Sequence, residues 1–415
     1  MTNLWTSVAG IFIMLAIAWT LSEHRRLFPW RIVLWGLALQ ATFALLILRT
    51  RIGRALFDGF QEAVVRFTSF ASEGNALVFG PLANQPLLTD KLGPGNAFIL
   101  ALTITGIIIF ISAFSSLLYH YGILQWIVRG MAWLMRRVLR TSGSETLAAA
   151  ANVFMGQTEA PLLIKPYLPR MTRSELMALM TGGMATIAGT VLGAYVSFGI
   201  EAGHLLTASV LSAPAGLLIA KILVPETEIS ETAGGAHPRI ERETINGLDA
   251  LCHGASDGMK LALNVIAMLI AFTAVIAAVN WMLSAGLALA NIQSNAPLQT
   301  VLGWINAPFA FLMGVPWKDC QAIGTVLGER IVLSEFIGYI RLAELGDTID
   351  PRSKRIATYA LCGFANLPSI AIQIGGIGAL APSRRSDLAR LGLKSMIGGL
   401  LTCYITACFA GIFGG

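Results

Sequence analysis

The sequence predicts an all-α polytopic membrane protein built on an inverted repeat, and three observations carry the prediction. The chain is 55% hydrophobic and 13% charged, with a mean hydropathy of +0.69, whereas soluble domains carry about 25% charged residues. Several mostly apolar runs reach about 18 residues or more, each enough to cross about 30 Å of hydrocarbon. Polar residues, including Glu159 and Glu335, interrupt apolar sequence at two places that share one plan.

The elements follow in order. Leu4–Leu21 and Ile32–Leu48 read as the first two helices. The first lacks a basic leader, and Arg25, Arg26 and Arg31 follow it, which favours a span with its N-terminus outside over a signal peptide. In Ala55–Phe70, Leu56, Phe60, Ala63, Val64 and Phe67 recur at helical spacing among charges, the pattern of a helix in the membrane interface. Gly74–Gly95 reads as a loop and Ala97–Leu118 as a span. Ile123–Leu139 is amphipathic, with Trp126 and Trp133 beside Arg129, Arg136 and Arg137.

A hairpin over Glu145–Leu168 comes next. A helix over Ser174–Ile200 follows, broken near Thr186–Gly189, and then a span over Leu205–Leu223. Val224–Asn246, with His237, is the one long polar stretch and reads as an exposed loop. A long helix covers Gly247–Leu283. A second hairpin over Pro308–Leu345 holds the polar run Gly328–Glu335, a helix broken at Asn366–Ser369 follows, and Met396–Phe413 is the last span.

The first hairpin carries Asn152-Val-Phe-Met-Gly-Gln-Thr-Glu-Ala-Pro161. A carboxylate at membrane depth costs at least roughly 2.5–3.5 kcal/mol on insertion scales, so Glu159 needs a partner, a ligand or water. Gly156 and Pro161 free backbone groups, tolerated at that depth only beside protein or a polar cavity. The stretch therefore reads as a binding site in a transporter; the alternative is a solvated cytoplasmic turn. Hairpin with acid, broken helix and span then occur twice. With the N-terminus outside, the first hairpin enters from the cytoplasm and the second from outside, the inverted repeat in which half-helix ends meet around substrate and ion.

These residues resemble the concentrative nucleoside transporter family along nearly the whole chain. The resemblance rests on Gly156-Gln-Thr-Glu-Ala-Pro161, Gly254-Ala-Ser-Asp-Gly-Met-Lys-Leu-Ala-Leu-Asn264, Ser334-Glu-Phe336 and Gly363-Phe-Ala-Asn366, in that order. It implies about eight spanning helices, two re-entrant hairpins and a homotrimer in the bilayer. It also implies an elevator motion of a transport domain against a scaffold. On this division residues 1–140 and 247–306 are scaffold, 141–224 and 307–415 are the two transport repeats, and 225–246 is a cytoplasmic loop.

The resemblance further implies that Gln157, Thr158 and Glu159 read the nucleobase and that Val191 packs on it. Glu335, Asn366 and Ser369 would hold the ribose, with Phe364 beside it. Sodium, the co-transported ion, would fall on Asn152, the carbonyls of Met155 and Ile187, and the Thr186 hydroxyl. Two positions depart from the family pattern: Pro368 stands where a small polar residue is common, and Thr186 where serine is. A Gln amide matches the paired donors and acceptors of a base edge, and sodium suits carbonyl and hydroxyl oxygens.

The expected function is sodium-coupled import of nucleosides such as uridine, in a bacterial inner membrane, and no enzymatic activity. Proton coupling is the nearest alternative, with Glu159 and Glu335 as carriers, although Gln-Thr-Glu-Ala-Pro favours sodium over the GQSEN of the proton-coupled branch. A membrane enzyme acting on lipid-linked substrates would need phosphate-binding cations and carboxylate clusters that these polar residues do not supply. A channel suits discontinuous hairpins poorly.

The remaining residues have structural readings. The net charge of +6, without a basic patch interleaved with aromatics, points to cytoplasmic loops rather than a nucleic-acid partner. The five cysteines form no CxxC pair and read as small hydrophobes. His120, His204 and His253 lack metal-ligand spacing, Asp257 and Lys260 read as a pair one turn apart, and Asn264 as interhelical glue or a ligand.

Overall fold

In a computed structural model the structure describes residues 2–92, 99–233, 244–288 and 297–414. Among these residues every regular element is helical. Helices α1 (Thr2–Thr20) and α2 (Trp30–Arg49) form where apolar sequence predicts them. Helix α3 (Arg51–Phe79) starts on Thr50, whose hydroxyl accepts the Gly53 N–H at 3.0 Å. It runs through the expected loop at Gly74, and a 3-10 turn and α4 (Gln85–Leu92) follow. The apolar α5 (Leu100–His120) leads through Gly122, whose φ of +80° suits glycine, into the amphipathic α6 (Ile123–Leu139).

The first hairpin descends as α7 (Gly143–Ala151), started by Glu145, whose carboxylate accepts the Ser142 N–H at 2.7 Å. It returns in 3-10 turns at Ala160–Ile164 and Leu168–Arg170 rather than as an α-helix. Pro161, Pro166 and Pro169 remove backbone donors along this limb, which explains the irregular return.

A reciprocal Thr172–Glu175 box starts α8 (Arg173–Ala185), and α9 (Gly189–Ser197) resumes the helix beyond the expected break. Helix α10 (Ala202–Leu223) completes the first segment, and α11 (Gly247–Ala288) and α12 (Pro297–Leu312) lead to the second. There the hairpin is α13 (Trp317–Val332) and α14 (Glu335–Leu345). It starts at Trp317 rather than near Pro308, which lies inside α12. The broken helix is α15 (Pro351–Leu361) and α16 (Leu367–Leu380), and α17 (Arg385–Phe413) begins eleven residues before the expected Met396.

Among the described residues six stretches are long and apolar enough to span a membrane by length and composition, and Leu4–Thr20 and Leu367–Leu380 are shorter apolar helices. Burial separates core from periphery. The α8–α9 stretch is 94% buried over its apolar window and α10 is 89%, whereas α11 is 6%. Helices α1 and α2 pack on α17 and α10, and α5 lies along α11.

The two breaks meet in the centre. The Phe364 N–H donates to the Thr186 carbonyl at 3.3 Å. A Cβ on Gly363 would lie 2.7 Å from the Met184 oxygen, so only glycine permits this approach. The Cys403 sulfur lies 3.7 Å from the Ala185 carbonyl and 3.4 Å from that of Cys362. Burial makes Cys320, Cys362, Cys403 and Cys408 core residues, while Cys252 is exposed.

The stretch after α10 is not simply a solvated loop. Lys221, 3% exposed, pairs with the buried Glu145 at 2.7 Å and with Glu226 at 3.1 Å, and Ser230 and Thr232 donate to Glu175. His237 lies outside the described residues.

On the α1–α2 loop, Glu23 pairs with Arg173 at 2.9 Å and Lys394 at 2.9 Å. The Arg173 guanidinium, and after it Lys394, holds the Glu23 carboxyl down from 4.5 to about 2. A depressed native pKa adds stability that is full above the unfolded-state value and is lost as pH falls towards 2. The unfolding midpoint of purified protein should therefore drop more steeply below pH 4.5 than that of Glu23→Gln; parallel profiles would refute the clamp.

Candidate functional site

A hydrogen-bond chain crosses the point where the breaks meet. Asn366, extended at φ −140°, caps α16 by accepting the Ser369 N–H on Oδ1 at 2.9 Å. Its Nδ2 donates to Glu335 Oε2 at 2.9 Å, and the Tyr195 hydroxyl donates to Glu335 Oε1 at 2.9 Å. Gln157 Nε2 donates to Ser369 Oγ at 3.2 Å. The chain Gln157–Ser369–Asn366–Glu335–Tyr195 thus joins both hairpins to both broken helices.

Glu335 is the first residue of α14, where a helix N-terminus favours a carboxylate. Two neutral donors, that dipole and the more distant Arg330 charge stabilise it away from water. Pro368 falls in the first turn of α16, where its missing N–H has no helical carbonyl to meet. The departure from the family pattern therefore leaves the cap intact.

Beside this chain lies a set of oxygen-rich groups. Asn152, 1% exposed at the end of α7, has both Oδ1 and Nδ2 buried without a partner. Such an orphan amide is costly unless something completes it. Thr186 Oγ1 donates to the Gly182 carbonyl at 3.1 Å, which leaves its lone pairs available to a cation. Met155 is buried on the hairpin and Ile187 on the break. This donor set suits a hard monovalent ion.

A cavity of about 730 Å³ opens alongside, within the range of about 300–1,000 Å³ usual for small-molecule pockets. Met155, Glu159 and Thr190 line one wall; Ser112 and Ser115 of α5 with His253 and Asp257 of α11 line the other. Glu159 accepts the Gly156 N–H at 3.1 Å.

The structure thus brings Gln157, Glu335, Asn366 and Ser369 into contact and places Glu159 on the cavity wall. Thr158 is exposed, its methyl against Gly376; Val191 is buried and Phe364 half-buried. Asn264 lies on the exposed face of α11, and Lys260 donates to Asp257 at 3.0 Å as a structural pair. Among the described residues no cluster of His, Cys, Asp and Glu could hold a metal. Sequence reasoning missed Tyr195 and Gln373, whose Nε2 donates to the Met180 carbonyl at 3.0 Å. The available signal was a hydroxyl and an amide inside apolar helices, since buried Tyr hydroxyls find partners.

Three family models match the chain. They are "Na+ dependent nucleoside transporter N-terminus" over residues 9–82, "Nucleoside recognition" over 101–202 and "Na+ dependent nucleoside transporter C-terminus" over 204–411. The chain is 42% identical to the uncharacterized transporter YutK of Bacillus subtilis, covering 100% of both. It is 40% identical to sodium/nucleoside cotransporter 1 of Rattus norvegicus over 98% of this chain, but spans only 63% of that protein. The solved structure of CNTnw in an inward-facing substrate-bound state superposes with a TM-score of 0.92 at 36% identity, covering 100% of this chain and 98% of that one. An outward-facing variant of CNTnw gives a TM-score of 0.93 at 35% identity, with the same coverage.

Gly183 gives the hydrogen-bond chain its room. A Cβ there would lie 2.8 Å from Gln373 Nε2 and 2.9 Å from Gln157 Cβ. Gly183→Ala should displace Gln157 and weaken nucleoside binding at least tenfold, about 1.4 kcal/mol, with the protein still folded. Unchanged affinity by scintillation proximity would show that Gln157 takes no part in binding.

Proposed function

The chain belongs to the Na+-dependent nucleoside transporter family, and we propose that it imports nucleosides with sodium by an elevator type of alternating access. The observation that carries this reading is the hydrogen-bond chain from Gln157 to Tyr195, which ties both hairpins together beside the orphaned amide of Asn152.

In this reading the chain is the resting state of the substrate site. Gln157 Oε1 is buried without a partner, an acceptor for a nucleobase N–H. Thr158 and Glu159 complete the base edge, and Val191 packs on the ring. Glu335, Asn366 and Ser369 exchange their mutual bonds for ribose hydroxyls, with Phe364 alongside. A site built this way discriminates against a sugar lacking a hydroxyl, because its own buried groups are then left unpaired. Sodium sits on Asn152, the Met155 and Ile187 carbonyls and Thr186. Its charge is favoured where α8 ends, since half-helix C-termini carry negative partial charge.

The cavity between hairpin 1 and the α5–α11 pair supports sliding of one body past the other. This proposal departs from the expectation that residues 1–140 are all scaffold: α5 and α11 form the scaffold, while α1 and α2, packed on α17 and α10, travel with the transport body. The exposed apolar side chains of α11, including Leu263, Ile270, Val275 and Trp281, suit lipid and the other copies of a homotrimer in a bacterial inner membrane.

The test is uptake of labelled uridine into proteoliposomes with inward sodium or with choline. Accumulation above equilibrium only with sodium supports symport, and accumulation driven by a proton gradient alone refutes it. Asn152→Ala should raise the half-saturating sodium concentration at least tenfold; an unchanged value would move the ion elsewhere. Glu335→Gln should lose uridine binding about a hundredfold, as expected when a charged acceptor is removed from buried donors, and near-normal binding would remove it from the ribose site.

A further inference from the structure

Arg330 is a cation at the centre of the protein that no carboxylate among the described residues meets in direct contact, Glu335 acting on it only at longer range. It is fully buried on α13, five residues before Glu335. Among the described residues it forms no ion pair. Its guanidinium donates instead to the Ala360 carbonyl at 2.6 Å, the Gly363 carbonyl at 3.0 Å and the Cys403 sulfur at 3.2 Å. Ala360 and Gly363 flank the end of α15 at Leu361, so the charge rests on the C-terminus of a half-helix and its unwound carbonyls. That is the environment in which discontinuous membrane helices bind cations.

The first segment has the same juxtaposition filled otherwise. There α8 ends at Ala185, and the hairpin residue set against it is neutral Asn152, whose Nδ2 lies 3.2 Å from the Cβ position of Gly182. Both polar atoms of that amide lack partners. One break thus meets a hairpin with an uncompleted amide and the other meets a hairpin that supplies a positive charge. The breaks themselves touch through Phe364 and Thr186.

We infer that Arg330 is a tethered cation standing in for an ion at the second break, so that each transport cycle carries one sodium per nucleoside. The inference rests on the sodium reading above and adds its stoichiometry. The charge of Arg330 stays with the protein, and the charge at Asn152 crosses with the substrate.

The experiment measures labelled sodium and labelled uridine fluxes together in proteoliposomes, and the sodium dependence of uptake. The wild-type flux ratio should be one and its Hill coefficient one. A ratio of two overturns the role of Arg330 while leaving symport intact; uridine accumulation without sodium flux overturns the coupling reading and this inference with it. Arg330→Asn, which copies the first break, should raise the Hill coefficient towards two, and Arg330→Lys, which keeps the charge, should leave it at one. First-order sodium dependence in folded Arg330→Asn would overturn the inference. If Arg330→Asn does not fold, the wild-type ratio decides.

Discussion

Two helices that stop and restart inside an apolar core set the terms for everything else in this protein. Each break frees carbonyls and N–H groups where water is excluded, and each freed group must find a partner within the protein or in a ligand. The solution is to cross the breaks. Phe364 donates to Thr186, Cys403 lies against both broken ends, and Gly363 brings the backbones close enough for these contacts. The hairpins then supply what the breaks do not supply to each other.

This arrangement explains how a polar site persists in a hydrophobic chain. Glu335, Asn366, Ser369 and Gln157 satisfy one another, and Tyr195 closes the far end. Their mutual bonds make the site affordable without a ligand, yet each is a bond of the kind that a ligand hydroxyl or amide replaces. Both polar atoms of Asn152 and the Gln157 oxygen are among the buried groups that this chain of bonds leaves without a partner.

Much of this was legible in the sequence because the relevant signals are local. Gly189, Gly363 and Pro368 announce the breaks, and Gly156 with the acids at 159 and 335 announces the hairpins. Boundaries within helices were less legible. The expected loop at Gly74 lies inside α3, because one glycine costs a helix only about 1 kcal/mol. The 3-10 return of hairpin 1 follows from three prolines whose combined effect a period-based reading overlooks. Tyr195, Arg330 and the packed stretch after α10 were illegible for another reason. Their partners lie 140, 30 and 57 residues away, and no local pattern encodes such pairings.

The unequal limbs of hairpin 1 have a mechanical consequence. Its descending limb is locked at the base by Lys221, Glu145 and Glu175, a buried ionic knot that also holds α8 and α10. Its ascending limb is wound in 3-10 turns, whose hydrogen bonds are fewer and poorer than those of an α-helix. Bending of this hairpin is therefore one-sided. The tip carrying Gln157 to Glu159 is held firmly from the Asn152 side, at the end of the locked limb, and weakly from its return limb.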